Sequence, residues 1–316
     1  MCKKGEIQMA KKKNSKKSKK LVVDIIAIII FAVFGTIGAK EFQLVQTAGN
    51  IPIEEIVTNI KIDENKLELF FFDVGQADSI LIMNKGKTML IDAGNDENGE
   101  QIVEDIKSLG ITKLDYLVVT HMHADHMGGM DKVIRNFDVG TMYMPDTLQT
   151  TKQVEEMLDA MLDTGLTYES PEIGDTFMLG NANAEIVYID NDETENLNNS
   201  SIVIELTFEE QKLLFTGDAE KEVEEKLNLG KINILKVGHH GSSTSSSDKF
   251  IKQIKPDIAV MQVGKDNSYN HPHSSVVKRL QKNGAIIYRT DELGTIWISC
   301  DGTESIVKKI GEESEI

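Results

Sequence analysis

A layered α/β domain preceded by one membrane-spanning helix is the architecture this 316-residue sequence predicts. Three observations carry the prediction. Short β-branched runs alternate with helical patterns beyond Leu67, a single long apolar run lies near the N-terminus, and all seven histidines fall in three tight clusters. A hydrophobic content of 40% with 27% charged residues excludes both a disordered chain and a polytopic membrane protein. The two cysteines, Cys2 and Cys300, sit at opposite ends, so no disulfide framework or Cys-rich zinc module is available. Any metal must be held by His, Asp and Glu.

The net charge of −17 hides a split: nine lysines and one glutamate give residues 1–20 a charge of +8, leaving −25 on the rest. Such a body argues against a general basic surface for long nucleic acids, though a local groove is compatible with it. Directly after the basic tail, Leu21 to Ala39 form a 19-residue run with Asp24 as its one charge. At about 1.5 Å per residue this helix spans roughly 28 Å, close to the hydrocarbon thickness of a bilayer. The preceding lysines place residues 1–20 in the cytoplasm and the body outside, an extracellular domain on a single-pass cell-membrane protein. The rival is a cleaved signal peptide and a secreted protein. The run is long for that, and Ile37-Gly38-Ala39 is a poor cleavage site. Residues 40–66 are polar and without period, and read as a linker.

From residue 67 to the end the pattern is strand-rich. LELFFFDVG, SILIMN and TMLIDAG read as the first strands, with Lys85-Gly86 as a hairpin turn between the last two. Gln101–Leu109 reads as a helix stopped by Gly110, and LDYLVVT (114–120) as a buried strand. Further strands are AEIVYID, SIVIELTF, KLLFTGD, INILKVG, IAVMQVG, AIIYRT and GTIWIS. Helices fit at Lys152–Thr164, Glu220–Leu227, Ser247–Ile254 and Ser275–Lys282. Trp297, in the last strand, reads as core.

The clusters are His121/His123/His126, His239/His240 and His271/His273, each just after a predicted buried strand. No histidine is left for ordinary positions, so a shared site is the economical reading. In THMHADHMGG, extended backbone puts His121 and His123 on one side, and Asp125 and His126 follow where the chain turns toward a helix. Gly128 and Gly129 supply the backbone freedom that turn needs. Imidazoles with a carboxylate are a ligand set for zinc, manganese or iron.

With these residues in view, the chain resembles the metallo-β-lactamase superfamily. His121, His123, Asp125 and His126 complete its H-x-H-x-D-H signature. LIDAG matches an upstream motif in which Asp92 would orient a ligand, and TGD matches the bridging aspartate, Asp218. FFDVGQADSILI, NNSSIVIEL, LKVGHHGS, NHPH and RTDELGTIWI bring the resemblance closer to the nuclease-like domain of ComEC-type competence proteins. It covers roughly residues 67 to 299. The resemblance implies an αββα sandwich with the metals at one edge. It also implies two divalent ions, zinc first and manganese second, with a metal-bound hydroxide as nucleophile. His121 and His123 would hold one ion, Asp125 and His126 the other, and Asp218 would bridge. His240 is favoured over His239 as the last ligand, because it precedes a glycine.

Many superfamily members add a third histidine to the first metal, but residues 127–218 contain none and present Asn198-Asn199-Ser200-Ser201 instead. This argues against a true β-lactamase and makes the first site weaker, more open or water-served. Asp125 and His271 are the candidate catalytic groups, His271 as donor to a leaving group or a phosphoryl oxygen. Ser242, Ser243 and Asn270 are candidate substrate contacts. Asp78, with Gln76, is expected in a loop near the site. The function this implies is a membrane-anchored, metal-dependent phosphodiesterase or nuclease, with a phosphodiester, or DNA, as substrate. A phosphorylcholine esterase and a non-catalytic binding protein are the alternatives. One spanning segment cannot form a DNA pore, so uptake is not expected.

Overall fold

Both faces of the predicted strands are apolar, and the fold buries both. The computed structural model describes residues 60–147, 149–191 and 196–310, together with the backbone of Ile53–Val57. The predicted basic tail, the predicted membrane span and much of the predicted linker lie outside these residues. No helix among the described residues is long and apolar enough to cross a membrane.

The chain lays down its first strands in one sheet: β1 (Ile53–Val57), β2 (Leu67–Phe71), β3 (Ile80–Asn84), β4 (Lys87–Ile91), β5 (Lys113–Val118), β6 (Asp138–Tyr143) and β7 (Tyr168–Glu169). It then builds a second sheet from β8 (Thr176–Leu179), β9 (Ala182–Tyr188), β10 (Val203–Phe208), β11 (Gln211–Phe215), β12 (Ile234–Lys236), β13 (Ile258–Met261) and β14 (Ile286–Arg289). Finally β15 (Ile296–Cys300) and β16 (Ser305–Ile310) return to the first sheet, between β1 and β2. The spatial orders are β1-β16-β15-β2-β3-β4-β5-β6-β7 and β14-β13-β12-β11-β10-β9-β8.

Alternation along each strand divides the apolar residues between layers. Leu67, Leu69 and Phe71 of β2 enter the inter-sheet cluster, with Ile204, Leu213 and Val260 of the second sheet, while Phe70 faces the other way. Phe70, Leu90 and Leu117 pack with residues of α1 (Gly99–Ser108), α2 (Ala124–Met127), α3 (Met130–Asn136) and α4 (Lys152–Thr164). Outside the second sheet, Leu214, Leu235 and Ala259 pack with residues of α5 (Lys221–Glu224), α6 (Asp248–Ile254) and α7 (Ser274–Lys282). Helices therefore cover the outer face of both sheets, an αββα sandwich. A fully buried Leu, Ile or Phe contributes roughly 1.5–3 kcal/mol, against about 0–1 for an exposed ion pair. The three clusters, not the surface charges, hold the layers together.

Lys85 and Gly86 both have positive φ, 51° and 71°, in the tight β3–β4 turn. Trp297 is buried and donates through Nε1 to Glu68 Oε2 at 2.7 Å, in the core as expected. Two expectations are corrected. The stretch read as linker contributes β1, which pairs in parallel with β16. The Glu220–Leu227 helix is only the single turn α5. Strands β6, β7, β8 and β16 and helix α3 lacked a sequence signal. Strand β6, for example, is mostly exposed or half-buried, so its polar DVGTMY carries no apolar run.

The sheet directions place the site. Strands β4, β5 and β6 are parallel, as are β11, β12 and β13. Asp92, His121, Asp218 and His240 all follow the C-terminal ends of these strands, where ligands gather in α/β sheets.

Candidate metal centre

After β5 the chain bends at His121 and Met122, and His123, back in extended backbone, is the N-cap of α2, which carries Asp125 and His126. Gly128 and Gly129 follow, but neither has a positive φ: they sit at −59° and −90°. Their role is close approach rather than backbone freedom. A Cβ on Gly128 would lie 2.4 Å from the Ala124 carbonyl oxygen and 2.5 Å from the Asp96 nitrogen, and one on Gly129 would lie 2.3 Å from the Ala93 oxygen.

That approach brings Asp92 against the histidines. Asp92 accepts from the Thr120 N–H at 2.8 Å, from Thr120 Oγ1 at 2.7 Å and from His126 Nδ1 at 2.8 Å. His126 therefore carries its proton on Nδ1 and turns Nε2 toward Asp218 Oδ2, 3.3 Å away, and Asp125 Oδ2, 3.9 Å away.

The second sheet supplies the opposite wall. His239, His240 and Gly241 form a left-handed turn with φ of 50°, 51° and 81°. Two consecutive non-glycine residues there are strained, as is common at functional sites. A Cβ on Gly241 would meet Pro272 at 2.6 Å, and its carbonyl accepts from the His273 N–H at 2.9 Å, so the turn is tied to the His271–His273 loop. His240 donates through Nδ1 to the Gln262 carbonyl at 3.0 Å, which leaves Nε2 3.2 Å from Asp125 Oδ2 and 3.7 Å from Asp218 Oδ2. Beside that ring lies a buried ion pair: Lys236 Nζ is 2.5 Å from Asp78 Oδ2, and Asp78 Oδ1 is 3.2 Å from His240 Nδ1.

Above these groups opens a cleft of about 260 Å³ lined by His123, Asp125, Asp218, His239, His240 and His271, with Gln76 and Tyr269 at its edge. Gln76 Oε1 accepts from the Gly264 N–H at 3.2 Å, which orients the amide so that Nε2 donates to His271 Nδ1 at 3.3 Å. The His271 ring proton is thereby assigned to Nε2.

The family profile described as the metallo-beta-lactamase superfamily matches residues 72–265. The chain belongs to the metallo-beta-lactamase superfamily. Among curated proteins it is similar to ComE operon protein 3 of Bacillus subtilis, 30% identical over 253 residues, covering 72% of this chain and 32% of the relative. It is also similar to ribonuclease Z of Saccharolobus islandicus, 25% identical over 237 residues, covering 70% and 75%. The chain spans about a third of the length of the competence-related proteins it matches. The crystal structure of the metallo-beta-lactamase fold protein YhfI from Bacillus subtilis superposes with a TM-score of 0.50 at 10% identity, covering 71% of this chain and 96% of that one. That likeness concerns the fold.

The donor set fits a superfamily metal. One ligand atom from each of Asp125, His126, Asp218 and His240 lies within 4.8 Å of the others. His126 Nε2 and Asp218 Oδ1 are buried without a hydrogen-bond partner, which an ion between them would relieve. Charge points the same way. Burial opposes ionisation of both Asp125 and Asp218. Even so, His126 and His240 hold Asp125 below the usual carboxylate range and Asp218 well below it. Burial likewise opposes the charged imidazoles, yet Asp218 and Asp92 hold His126 well above its usual value, and Asp218 and Asp78 push His240 up to about 10. Protonated imidazoles here do what a cation would do. Burial pushes Asp92 up, and it pushes His121 well down and His123 down. Burial and the neighbouring imidazoles bring His271 down to about 4.

His121 and His123 face one another, Nε2 to Nδ1, at 3.0 Å. From the Asn198–Ser201 stretch, Ser201 Oγ lies 3.4 Å from His121 Nδ1 and accepts from the Asp218 N–H at 3.1 Å. His239 lines the cleft, its Nε2 3.7 Å from Asp218 and its Nδ1 3.3 Å from Glu220. The three expected substrate contacts lie close in sequence to residues that line the cleft. Buried Ser242 pairs with Thr244 Oγ1, Ser243 donates its N–H to His273 Nδ1, and exposed Asn270 is a left-handed loop residue. None of them lines the cleft. Lys236 was missed, although a lone lysine inside the apolar run INILKV was a signal for a buried ion pair.

Proposed function

We propose that this hydrolase is a phosphodiesterase acting on nucleic-acid backbones, with DNA included, anchored by residues 21–39 and facing outward from the cell membrane. The observation that carries the reading is the Asp125/His126/Asp218/His240 group beneath an open cleft, with His126, Asp218 and His240 buried and the His126 Nε2 and Asp218 Oδ1 atoms without a partner. Support for phosphodiester chemistry comes from similarity to a protein named ribonuclease Z and to competence-related proteins.

Divalent ions held by these residues, with His121 and His123 serving a second ion, would supply the positive charge that offsets phosphoryl oxygens and activates water. The chain's own groups do the rest. Asp92 fixes the His126 tautomer, and the Gln262 carbonyl fixes that of His240, so both Nε2 atoms face Asp218. His271, neutral near pH 7 and protonated on Nε2 through Gln76, is a hydrogen-bond donor to a phosphoryl oxygen rather than a proton source for the leaving group.

The test is a hydrolysis panel on the purified protein with Zn²⁺ or Mn²⁺ restored. It offers single-stranded DNA, a simple phosphodiester, a phosphorylcholine ester and a lactam. Turnover of the DNA and the simple diester is expected, and a preference for the lactam or the choline diester overturns the reading. His240→Ala should lose metal and turnover together. His271→Ala should keep its metal and lose roughly 10²–10³-fold in rate, equally with nitrophenolate and alkoxide leaving groups. A loss confined to the alkoxide substrate returns His271 to leaving-group protonation.

A further inference from the structure

The loop after β13 carries an aromatic ring in an uncommon setting. Tyr269 is 64% exposed, and it sits at the cleft above the ligand residues. Its ring lies at 26° to that of His271 with centroids 5.7 Å apart, so the imidazole backs it while the remainder is open to solvent. The other large exposed apolar residues among those described, Leu162, Ile173 and Met178, do not line this cleft.

The backbone that carries the ring is also held in place. Asn267 Oδ1 accepts from the N–H of Tyr269 at 3.1 Å and of His271 at 3.0 Å, while its Nδ2 donates to the carbonyls of Gly264 at 2.9 Å and His271 at 2.6 Å. Beyond His271, Pro272 packs on Gly241 and the His273 N–H bonds its carbonyl. A loop mounted this way need not be ordered when a ligand covers the ring.

We propose that Tyr269 is a stacking platform for the nucleobase next to the scissile phosphodiester, giving the site selectivity for nucleotides. This rests on the phosphodiesterase reading above. The rings of Tyr269 and the phosphoryl donor His271 are neighbours, 5.7 Å between centroids, as base and phosphate are adjacent parts of one nucleotide. A body carrying a net −25 beyond its first 20 residues repels a phosphate backbone overall. Stacking attracts every base without such charge. A quaternary ammonium would want several aromatic faces around it, whereas Tyr269 is the one phenol among the residues lining this cleft.

The full-length, metal-loaded protein tests this with oligothymidylate and an abasic oligonucleotide of equal length. Tyr269→Ala should raise KM on oligothymidylate roughly 10-fold more than on the abasic strand, and Tyr269→Phe should restore it. Equal loss on both strands makes Tyr269 a prop for His271 and overturns the proposal, as does an unchanged KM on oligothymidylate. Wild-type protein that cleaves both strands with one KM overturns the stacking alone. Wild-type protein that cleaves neither, nor any simple phosphodiester, overturns the phosphodiesterase reading and this proposal with it.

Discussion

Lys236 is 1% exposed at the end of β12, and its partner Asp78 is equally buried. A buried pair of this kind is poor value as a stabiliser, because desolvation offsets most of the attraction. Its placement beside His240 gives it another use, holding the ring edge so that Nε2 faces Asp125 and Asp218. Lys236→Met strands the Asp78 charge and should cost roughly 3–5 kcal/mol in denaturant unfolding. Lys236→Met with Asp78→Leu removes both charges and should recover most of that stability. It should still bind metal about 10-fold more weakly, since Asp78 no longer faces His240 Nδ1 and only the Gln262 carbonyl orients the ring. Wild-type metal affinity in the double variant, by titration, would reduce the pair to packing.

Helix α2 is a single turn, too short to hold a shape by itself. Its position comes from contacts with the turn after β4, where the Ala93 N–H donates to the His126 carbonyl at 2.7 Å and the Gly129 N–H donates to the Gly94 carbonyl at 3.3 Å. Those bonds require the backbone approach that the two glycines allow. Gly129→Ala should destabilise by about 1–3 kcal/mol through overpacking and lower bound metal per chain, because the clash falls on rigid backbone. Gly230→Ala, where a Cβ meets nothing within 4 Å, is the control. Thermal melts and elemental analysis decide it: full metal occupancy in Gly129→Ala would show that α2 positions itself without this approach.

Across the whole molecule, metal, protons and stability are linked through one site. His240 has its pKa raised from 6.5 to about 10 and His126 is raised well above 6.5, so their stabilisation is full below pH 6.5. It is lost as pH rises through about 10 for His240. Asp218 is lowered from 3.8, so its contribution is present above that value and fades in stronger acid. The metal-free protein should therefore lose Tm between pH 6.5 and 10. Metal must displace the same protons, so its affinity should rise over that range. Calorimetric titrations in buffers of different ionisation enthalpy read the protons released. No release at pH 7 would remove His126 and His240 from the ligand set. The charge split of the sequence makes a prediction at the same scale: protease added to intact cells should digest the folded domain, and protection until lysis would reverse the proposed orientation.

Much of this was written in linear order. Strands such as LELFF and ILIMN declare themselves because each buries both faces, and a two-residue turn such as Lys85-Gly86 needs only local backbone chemistry. The ligand residues were legible because histidines crowd the ends of those strands. Strand β1 stayed hidden because its pairing partner, β16, lies some 250 residues away, and the turn toward a helix at Asp125 and His126 was legible but its placement was not, because that depends on distant backbone contacts. The Lys236–Asp78 pair and the tautomer set on His271 by Gln76 were likewise invisible in sequence. Each joins side chains from strands or loops far apart in the chain. Composition and alternation act through near neighbours and decide layers, whereas orientation at a site is set by groups that meet only when the two sheets close.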